Sequence, residues 1–332
     1  MALKQDASTA GLPRVAVIAA FHEAGRDLVE RQVDSLLRQQ GVALRLIGVL
    51  DGAKTAQDRE LTGYLERSGF ILIRNDTPLG AGAAFARGLA FAIETSEGEE
   101  WFSYCDQDDV WHAGKLARSL ACLQETSAQL VHCDARVIDE EGRVIAPSLH
   151  RYERRQEPED LHQHLLLNAV TGMTSLFTAQ TARLAVRLIE ANTTSILHDH
   201  VTAAAAASLG RVEFLPEPLV DYIQHDRNQV GANAYDPSAR RRSFGLRHLR
   251  AYRAKSCRMF EERRAVAAAL AREGALPQPL ATMFVIQRTG LARLAATYIR
   301  AIARLLAHGQ RRRAMLCIRM MDAAIMMWFT RS

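Results

Sequence analysis

The first 125 residues alternate short apolar runs with segments whose apolar residues recur at helical spacing. The apolar runs predict strands at 15–21, 44–50, 70–73 and 101–105. The segments between them predict helices at 27–39, 57–67 and 80–93, and a further helix is predicted at 115–123. Strands that alternate with helices in this way indicate an α/β fold, with a mostly parallel sheet that carries helices on both faces.

The pattern after residue 125 is less regular. It predicts strands at 129–132, 175–177, 212–215 and 219–223, a hairpin at 137–145, and turns at 171–173 and 216–218. Helices are predicted at 161–168, 181–191 and 201–207, and helical periodicity dominates from residue 240 onward. We therefore expect a flexible tail over 1–12, a main domain over 13–235 and a helical region over 236–332.

Composition narrows the class of protein without deciding its function. A chain of 332 residues with 48% hydrophobic residues can fill a substantial core. The five cysteines are widely spaced and contain no Cys-x-x-Cys pair, which is typical of reduced thiols in a cytoplasmic protein. No segment has the features of a secretory signal or the apolar length of a transmembrane helix.

The charge of the chain is distributed unevenly. Residues 1–239 hold 22 Lys and Arg against 33 Asp and Glu, whereas residues 240–332 hold 20 against 4, so the net charges are −11 and +16. A basic region of that size attracts polyanions, such as nucleic acid or the anionic face of a cytoplasmic membrane. Nucleic acid is the weaker candidate, because the basic helices lack interleaved aromatic residues and a recognised binding motif.

Three carboxylates are crowded into the segment Asp106–Asp109, which we call the acidic cluster. It follows the fourth predicted strand, as Phe21–Glu23 and Asp51–Gly52 follow the first two, so all three segments are expected at the sheet edge where ligands bind. Crowded carboxylates repel one another unless a cation lies among them, and hard divalent cations prefer oxygen ligands. The cluster therefore indicates a metal-diphosphate site, with a solvated turn that caps the next helix as the alternative.

The order of motifs along the chain resembles the family 2 glycosyltransferases, and within them the rhamnosyltransferase-like branch. The resemblance covers roughly residues 14–232 and rests on the segments Ala19–His22, Glu30–Leu36, Asp106–Trp111, Lys115–Leu116, Asn168–Gly172, His198–His200 and Tyr222–His225. It implies a GT-A type fold over 13–235. It also implies an inverting enzyme of cell-surface polysaccharide synthesis, which moves a sugar, with rhamnose as a candidate, from a nucleoside-diphosphate sugar to a glycan or lipid-linked acceptor.

The resemblance places the donor site at the carboxyl ends of the strands. It implies donor contacts by Phe21, Glu23, Asp51, Asp106, Asp108 and Asp109, and a Mg²⁺ or Mn²⁺ ion held by Asp106, Asp108 and His225. The family's second-strand motif is altered here, because Leu50 and Ala53 replace an acidic residue and a serine. Asp109 has an alternative role as a cap of the following helix, and His225 as an ordinary surface residue.

The resemblance assigns the catalytic base to Asp199, near a predicted helix start, where the helix dipole favours an ionised carboxylate. A plain N-cap is the alternative for this residue. Acceptor contacts are implied for Trp111, Thr171, Gly172, Met173 and His200, and Trp111 could equally fill the core. His198 and His200 could also suggest zinc, but the further ligands of a closed zinc site are missing from the sequence around them.

The last predicted helix has a basic start, Arg311–Arg313, and an apolar body that includes Met326, Met327, Trp328 and Phe329. An interfacial helix beside basic residues binds anionic membranes, so we expect a cytoplasmic protein that associates with the inner face of the plasma membrane. A core helix packed on residues 284–305, or a contact in a homo-oligomer, is the alternative. For the whole chain, the second function considered is a non-catalytic module that binds a nucleotide sugar or a polyanion.

Overall fold

The computed structural model of the chain describes residues 11–23, 25–52, 56–96, 98–191, 197–225, 246–277, 280–281, 284, 291–307 and 311–331. The chain divides into two compact units. The first comprises Met1–Glu157, Val170–Glu190 and Leu197–Ala234, and the second comprises Pro158–Ala169, Ala191–Ile196 and Tyr235–Ser332. Residues 1–10 of the expected tail lie outside the described residues, as does Ala53.

The first unit contains one sheet with helices around it. Its strands are β1 (Arg14–Phe21), β2 (Ala43–Asp51), β3 (Phe70–Asn75), β4 (Trp101–Cys105), β5 (Val110–Trp111), β6 (Leu130–Ile138), β7 (Val144–Ala146), β8 (Ser175–Thr178) and β9 (Val212–Ile223). Its helices are α1 (Arg26–Leu37), α2 (Ala56–Arg67), α3 (Ala81–Glu94), α4 (Lys115–Thr126), α5 (Leu149–Tyr152), α7 (Ala179–Glu190) and α8 (His198–Leu209). The second unit contains α6 (Leu161–Leu166), α9 (Leu246–Arg272), α10 (Leu291–Ala307) and α11 (Arg311–Arg331).

The sheet is parallel in one half and mixed in the other. Its strand order is β3-β2-β1-β4-β8-β6-β9-β5, and β7 pairs with β6 at the side of this path. The pairs among β3, β2, β1 and β4 are all parallel, so their carboxyl ends share one edge. Beyond β4 the pairs β4–β8, β8–β6 and β9–β5 are antiparallel, whereas β6 and β9 are parallel to each other. The α/β fold expected from the alternating pattern is confirmed.

Helices cover both faces of the sheet. The β1 side chains point alternately to the two faces and so pack against helices on each side. Val15, Val17 and Phe21 share a core with apolar residues of α1 and α4 on one face. On the other face, a Cβ added at Gly88 of α3 would lie 2.6 Å from Ile18 Cγ2, which shows how closely this helix approaches the sheet. The residues of β1 are therefore buried on both sides, as its continuous apolar run predicted.

The largest difference from the predicted elements is at Pro216–Pro218. A turn was predicted there between two short strands, but β9 runs continuously from Val212 to Ile223, so this prediction is wrong. The pairing register shifts at this point, because Cys133 pairs with Leu215 and Asp134 with Pro218. Proline donates no hydrogen bond to a ladder, and an irregularity of this kind lets the strand accommodate it.

The second unit is helical in the part that the structure describes, which confirms the expected C-terminal helices. The helix α11 packs against α6, α9 and α10, and its Cys317 and Met320 side chains are buried. One face of α11 is therefore a core face. The side chains of Met326, Met327, Trp328 and Phe329 lie outside the described residues. Within the described helices, none combines the length and apolarity needed to cross a bilayer.

Candidate active site

The loops after β1, β2 and β4 are joined by hydrogen bonds at one edge of the sheet. The Gln107 side chain bonds both backbone polar groups of His22, since its Oε1 accepts from the amide N at 2.9 Å and its Nε2 donates to the carbonyl O at 3.1 Å. His22 Nδ1 lies 2.8 Å from the backbone O of Asp51. The three segments predicted at this edge thus lie together, and the side chain of Gln107, between two carboxylates in sequence, joins them.

The Asp51 carboxylate is buried, and three neighbouring donors bond it. Oδ1 accepts from Asn75 Nδ2 at 2.7 Å and from the Leu79 amide at 2.9 Å, and Oδ2 accepts from the Gly80 amide at 2.9 Å. These bonds tie the end of β2 to the start of α3, where the helix dipole favours a negative charge. Asp51 therefore fixes the loop between β3 and α3 at this edge, and its contact with a nucleotide-sugar donor stays a prediction.

The glycine after Asp51 is required by its surroundings. Gly52 has a φ of +80°, and a Cβ there would lie 2.5 Å from Pro78 Cγ. Either the positive φ or the close approach of Pro78 would strain a larger residue. The Gly of the altered second-strand motif is therefore explained by local geometry.

The acidic cluster has members in different environments. Asp108 Oδ2 lies 2.9 Å from His225 Nε2, just beyond the end of β9. Burial, together with the negative charges of Asp108 and Asp199, raises the pKa of Asp106 to about 7. Two other carboxylates, one of them from a distant part of the sequence, thus disfavour the ionisation of Asp106.

Asp109 is fully buried, and its Oδ1 accepts from the backbone N of Ile223 at 3.4 Å. Its Oδ2 has no partner among the described residues. Burial, with the charges of Asp108 and Asp106, raises the pKa of Asp109 well above its usual value. The helix-capping interpretation of Asp109 is wrong, because α4 begins after Gly114 and has no side-chain cap.

Asp199 lies in the first turn of α8, whose N-cap residue is Leu197, so the N-cap interpretation is also wrong. Its Oδ1 accepts from the backbone N of His200 at 2.5 Å. Burial raises the pKa of Asp199, and although the N–H groups of His200 and Gly172 and the charge of Arg155 lower it, the pKa is about 6. The carboxylate is therefore ionised at neutral pH and can still accept a proton.

Gly172 and His198 are packed directly against each other. A Cβ at Gly172 would lie 2.7 Å from His198 Nε2. The His198 ring stacks on Phe85 with centroids 4.0 Å apart and meets Tyr104 edge-on at 4.6 Å. Burial lowers the pKa of His198 to about 3, so its ring is neutral. His198 is a core residue that limits the position of Gly172.

The residues expected at the acceptor differ in exposure. Thr171 is partly exposed, whereas Trp111, Met173 and His200 are buried. Lys115 Nζ lies 3.3 Å from the centre of the Trp111 ring, and the ring belongs to the core around α1 and α4. Of the two roles considered for Trp111, an acceptor contact and a core position, the structure thus favours the core position. Among the donor candidates, Phe21 is buried against Phe70 and Glu23 is exposed.

Sequence reasoning missed two kinds of residue. Ser35 of α1 accepts from the backbone N of Trp111 at 3.0 Å, and Gln39 donates to the His112 carbonyl at 2.8 Å, so α1 holds the strand that follows the acidic cluster. Arg155 lies beside Thr171 and Asp199. The polar residues within an otherwise apolar helix face were a signal for the first kind, while no pattern marked Arg155.

The side chains of Asp106, Asp108 and His225 fit Mg²⁺ or Mn²⁺ by their chemistry. Mg²⁺ is typically held by one or two carboxylates, with substrate phosphates and water completing its shell. Burial first, and then the charges of Asp108 and Asp199, raise the pKa of Asp106, and a bound cation would favour its ionised form. Among the described residues, no group of three or more His, Cys, Asp or Glu side chains already surrounds a possible ion position. Water or phosphate oxygens of a substrate would complete the coordination of such an ion.

Comparisons with known proteins bear on the family and the fold of the chain. The family model described as "Glycosyl transferase family 2" matches residues 15–183. A sequence search of the curated proteins found no match.

Similar solved structures include TarS 1–349 of S. aureus alone, with 13% identity, a TM-score of 0.50 and coverage of 90% of this chain and 92% of that one. For TarS 1–349 in complex with UDP the identity is 13% and the TM-score 0.50, with coverage of 94% of this chain and 91% of that one. Another similar structure is mannosyltransferase PcManGT from Pyrobaculum calidifontis in complex with GDP-Man and Mn²⁺. Its identity is 19% and its TM-score 0.48, with coverage of 96% of this chain and 87% of that one. At these identities the TarS structures support the fold alone, and the rhamnosyltransferase-like branch stays a prediction.

Proposed function

The chain belongs to glycosyl transferase family 2, and from this premise we propose that it transfers a sugar from a nucleoside-diphosphate sugar to an acceptor hydroxyl, with inversion at the anomeric carbon. The observation that carries the proposal is the placement of the Asp199 carboxylate near Asp106, at the edge where β4 ends. One carboxylate can thus act on the acceptor while the acidic cluster faces the diphosphate.

Asp199 is the catalytic base in this proposal. Its carboxylate takes the proton of the acceptor hydroxyl as that oxygen forms a bond to the anomeric carbon, and the bond from this carbon to the diphosphate breaks. The pKa of Asp199, about 6, suits this role because the group is ionised at neutral pH yet remains basic enough to help. Attack from the side opposite the leaving diphosphate inverts the anomeric centre.

Asp106, Asp108 and His225 would hold a Mg²⁺ or Mn²⁺ ion together with the donor. When bound, such an ion neutralises the charge that develops on the departing diphosphate. His225 and Asp108 are already in contact, so the loop after β9 is held against the acidic cluster. Asp51 supports the same edge by fixing the start of α3, beside the proposed nucleotide position.

The base assignment is tested with Asp199→Asn. We expect turnover to fall by about 10²- to 10⁴-fold, because the amide cannot accept the proton, while binding of the nucleotide sugar is retained. Turnover is measured as release of nucleoside diphosphate from UDP-, GDP- and dTDP-linked sugars with Mn²⁺, with dTDP-rhamnose included for the proposed branch. Asp34→Asn, on the exposed side of α1, is the control for loss of a carboxylate.

Two outcomes would contradict this assignment. Unchanged turnover by Asp199→Asn would show that another group accepts the proton. Binding of nucleotide sugars by the unaltered protein, without turnover of any of them, would favour the non-catalytic nucleotide-sugar module instead.

The second unit supports the further proposal that the acceptor is presented at a membrane. Helices α10 and α11 expose apolar side chains, namely Ile299, Leu306, Met315 and Ile318. On α10, Ile299 and Leu306 are seven residues apart and so lie on one face, beside the exposed Arg300 and Arg304. Apolar and cationic side chains on one helix suit the interface of an anionic bilayer, where a lipid-linked acceptor for cell-surface polysaccharide would be found.

A further inference from the structure

The segment that follows α5 brings one cation beside the proposed base. Arg155 Nη1 donates to Thr171 Oγ1 at 2.6 Å, and its Nε donates to Glu153 Oε2 at 2.8 Å. The guanidinium thus connects its own segment to the turn that precedes β8, and its charge acts on Asp199. No other part of the proposed mechanism uses this arginine.

The Arg155 segment is itself held from the other side. Glu157 accepts from His132 Nε2 at 2.9 Å and from His150 Nε2 at 2.5 Å, and the backbone N of Arg155 donates to the His150 carbonyl at 2.9 Å. Although burial raises it, the bonds from the two histidines hold the pKa of Glu157 down at about 2. These hydrogen bonds hold the segment that carries Arg155 in place, as a positioning role requires.

The turn held by Arg155 contacts the base through its backbone. The N–H of Gly172, the residue after Thr171, is hydrogen-bonded to the Asp199 carboxylate. The Thr171 carbonyl accepts from Thr174 N at 3.0 Å and from Thr174 Oγ1 at 2.8 Å, which closes the turn. Gly172 is also confined by the His198 ring behind it. The position of the Gly172 N–H thus depends on two contacts: the bond between the Thr171 side chain and Arg155, and the packing of Gly172 against the His198 ring.

We propose that Arg155 is a positioning residue for the base: by holding the Thr171 hydroxyl it fixes the Gly172 N–H that orients the Asp199 carboxylate toward the acceptor oxygen. This inference rests on the proposed function, because it takes Asp199 as the base. Misplacement of a reacting group by about 1 Å can cost on the order of 100-fold in rate, so a residue that sets this position has a large effect without touching the substrate.

The test is a cycle of Arg155→Met, Thr171→Val and the double variant in the full chain. We expect each single change to lower kcat by about 10- to 100-fold, with the donor KM and the thermal midpoint nearly unchanged. Because both changes break the same link, the double variant should be no slower than the slower single variant. Thr171→Ser keeps the hydroxyl that Arg155 bonds, so it should recover most of the turnover that Thr171→Val loses.

Arg151→Met is the matched control, since Arg151 is an exposed arginine of the adjacent helix α5. It should leave kcat unchanged. All variants are assayed by release of the nucleoside diphosphate from UDP-, GDP- and dTDP-linked sugars with Mn²⁺.

Several results would overturn the inference. Full turnover by Arg155→Met, or losses that multiply in the double variant, would show that Arg155 does not act through Thr171. A loss confined to the donor KM would assign the arginine to substrate binding. Should Arg155→Met fail to fold, equal turnover by Thr171→Val and Thr171→Ser would overturn it, whereas a slow Val variant beside a normal Ser variant would support it.

The proposed function and this inference fail in different ways. If the unaltered protein turns over no donor, both are overturned. If it turns over a donor and Asp199→Asn does not, but Arg155→Met behaves as the unaltered protein does, only the positioning role is lost.

Discussion

His225 Nε2 lies 2.9 Å from Asp108 Oδ2, although 117 residues separate the two in sequence. The contact arises because β9 ends beside the acidic cluster, where the backbone N of Ile223 also donates to Asp109. Both side chains are mostly buried, with 4% of the imidazole and 15% of the carboxylate exposed. An imidazole and a carboxylate are thus paired at the place where a divalent ion and a diphosphate are proposed to bind.

The first prediction concerns the metal. His225→Ala should raise the Mn²⁺ concentration needed for half-maximal turnover by about 10- to 100-fold, because it removes a group that binds the ion or orients Asp108. The measurement is diphosphate release as a function of Mn²⁺ concentration. His112→Ala is the matched control, since His112 Nε2 forms a similar pair with Asp221 Oδ1 at 3.1 Å. An equal effect of the two changes would refute the assignment of His225.

The second prediction concerns pH. Burial raises the pKa of Asp199 to about 6, and the base must be ionised to act. At saturating Mn²⁺, kcat/KM should therefore be constant above this pKa and fall about tenfold for each pH unit below it. A profile that stays flat down to pH 5, measured with protein that remains folded, would be inconsistent with Asp199 as the base.

The pKa of Asp106 gives a related expectation for metal binding. Burial and the charges of Asp108 and Asp199 raise this pKa to about 7. A bound cation must displace the proton from the carboxyl group, so Mn²⁺ affinity should fall as the pH drops below about 7. Calorimetric titration of Mn²⁺ with a saturating nucleoside diphosphate, at pH values from 6 to 8, measures this dependence. Asp106→Asn should abolish the part of this pH dependence that arises from protonation of Asp106.

The third prediction concerns the close packing of Gly172. In Gly172→Ala the added methyl group would lie 2.7 Å from His198 Nε2, and the ring is confined by Phe85 and Tyr104. We expect a loss of stability of about 1–3 kcal/mol and a fall in turnover, because the turn must move away from Asp199. Gly114→Ala is the control, since a Cβ there would lie 3.9 Å from Arg118 Cγ.

A second change separates the steric cause from others. If the clash with His198 is responsible, Gly172→Ala should cost less stability in a His198→Ala background than in the unaltered protein, because the smaller residue leaves room for the methyl group. Chemical denaturation of the four proteins measures the difference. Equal costs in both backgrounds would mean that the imidazole is not the obstacle.

The fourth prediction concerns the membrane. The double change Ile299→Ser and Leu306→Ser should reduce flotation with vesicles of phosphatidylglycerol and phosphatidylcholine, because it removes two exposed apolar side chains of α10. Leu37→Ser, which alters a similarly exposed leucine of α1, is the control. Binding by the unaltered protein should also weaken as salt is raised, since Arg300 and Arg304 flank the apolar positions. Unchanged flotation by the double variant would remove α10 from the proposal.

Much of the first unit could be predicted because its signals are local. The apolar runs of β1, β2 and β4 and the helical spacing of α1 and α3 match the observed elements closely. Local signals failed at Pro216–Pro218, where pairing with β6 carries the chain through a segment whose prolines predicted a turn. The pairing of strands supplied stabilisation that a local pattern does not show.

The candidate site divides in the same way. The sequence order placed Asp51 and the acidic cluster at one edge, since the carboxyl ends of parallel strands must share an edge. It could not show that Asp51 is bonded to the start of α3, that Trp111 is buried under Lys115, or that Asp109 caps no helix. These outcomes depend on which side chains meet after the sheet and helices pack.

By itself, the sequence determined the alternating α/β pattern, the edge that carries the carboxylates and the basic helical end of the chain. The resemblance grouped His225 with Asp108, but only the tertiary structure decided that the two are in direct contact, that Arg155 holds Thr171, and that burial brings the pKa of Asp199 to about 6. Periodicity and turn chemistry act between near neighbours in the chain. Desolvation and contacts between distant segments exist only once the chain has packed.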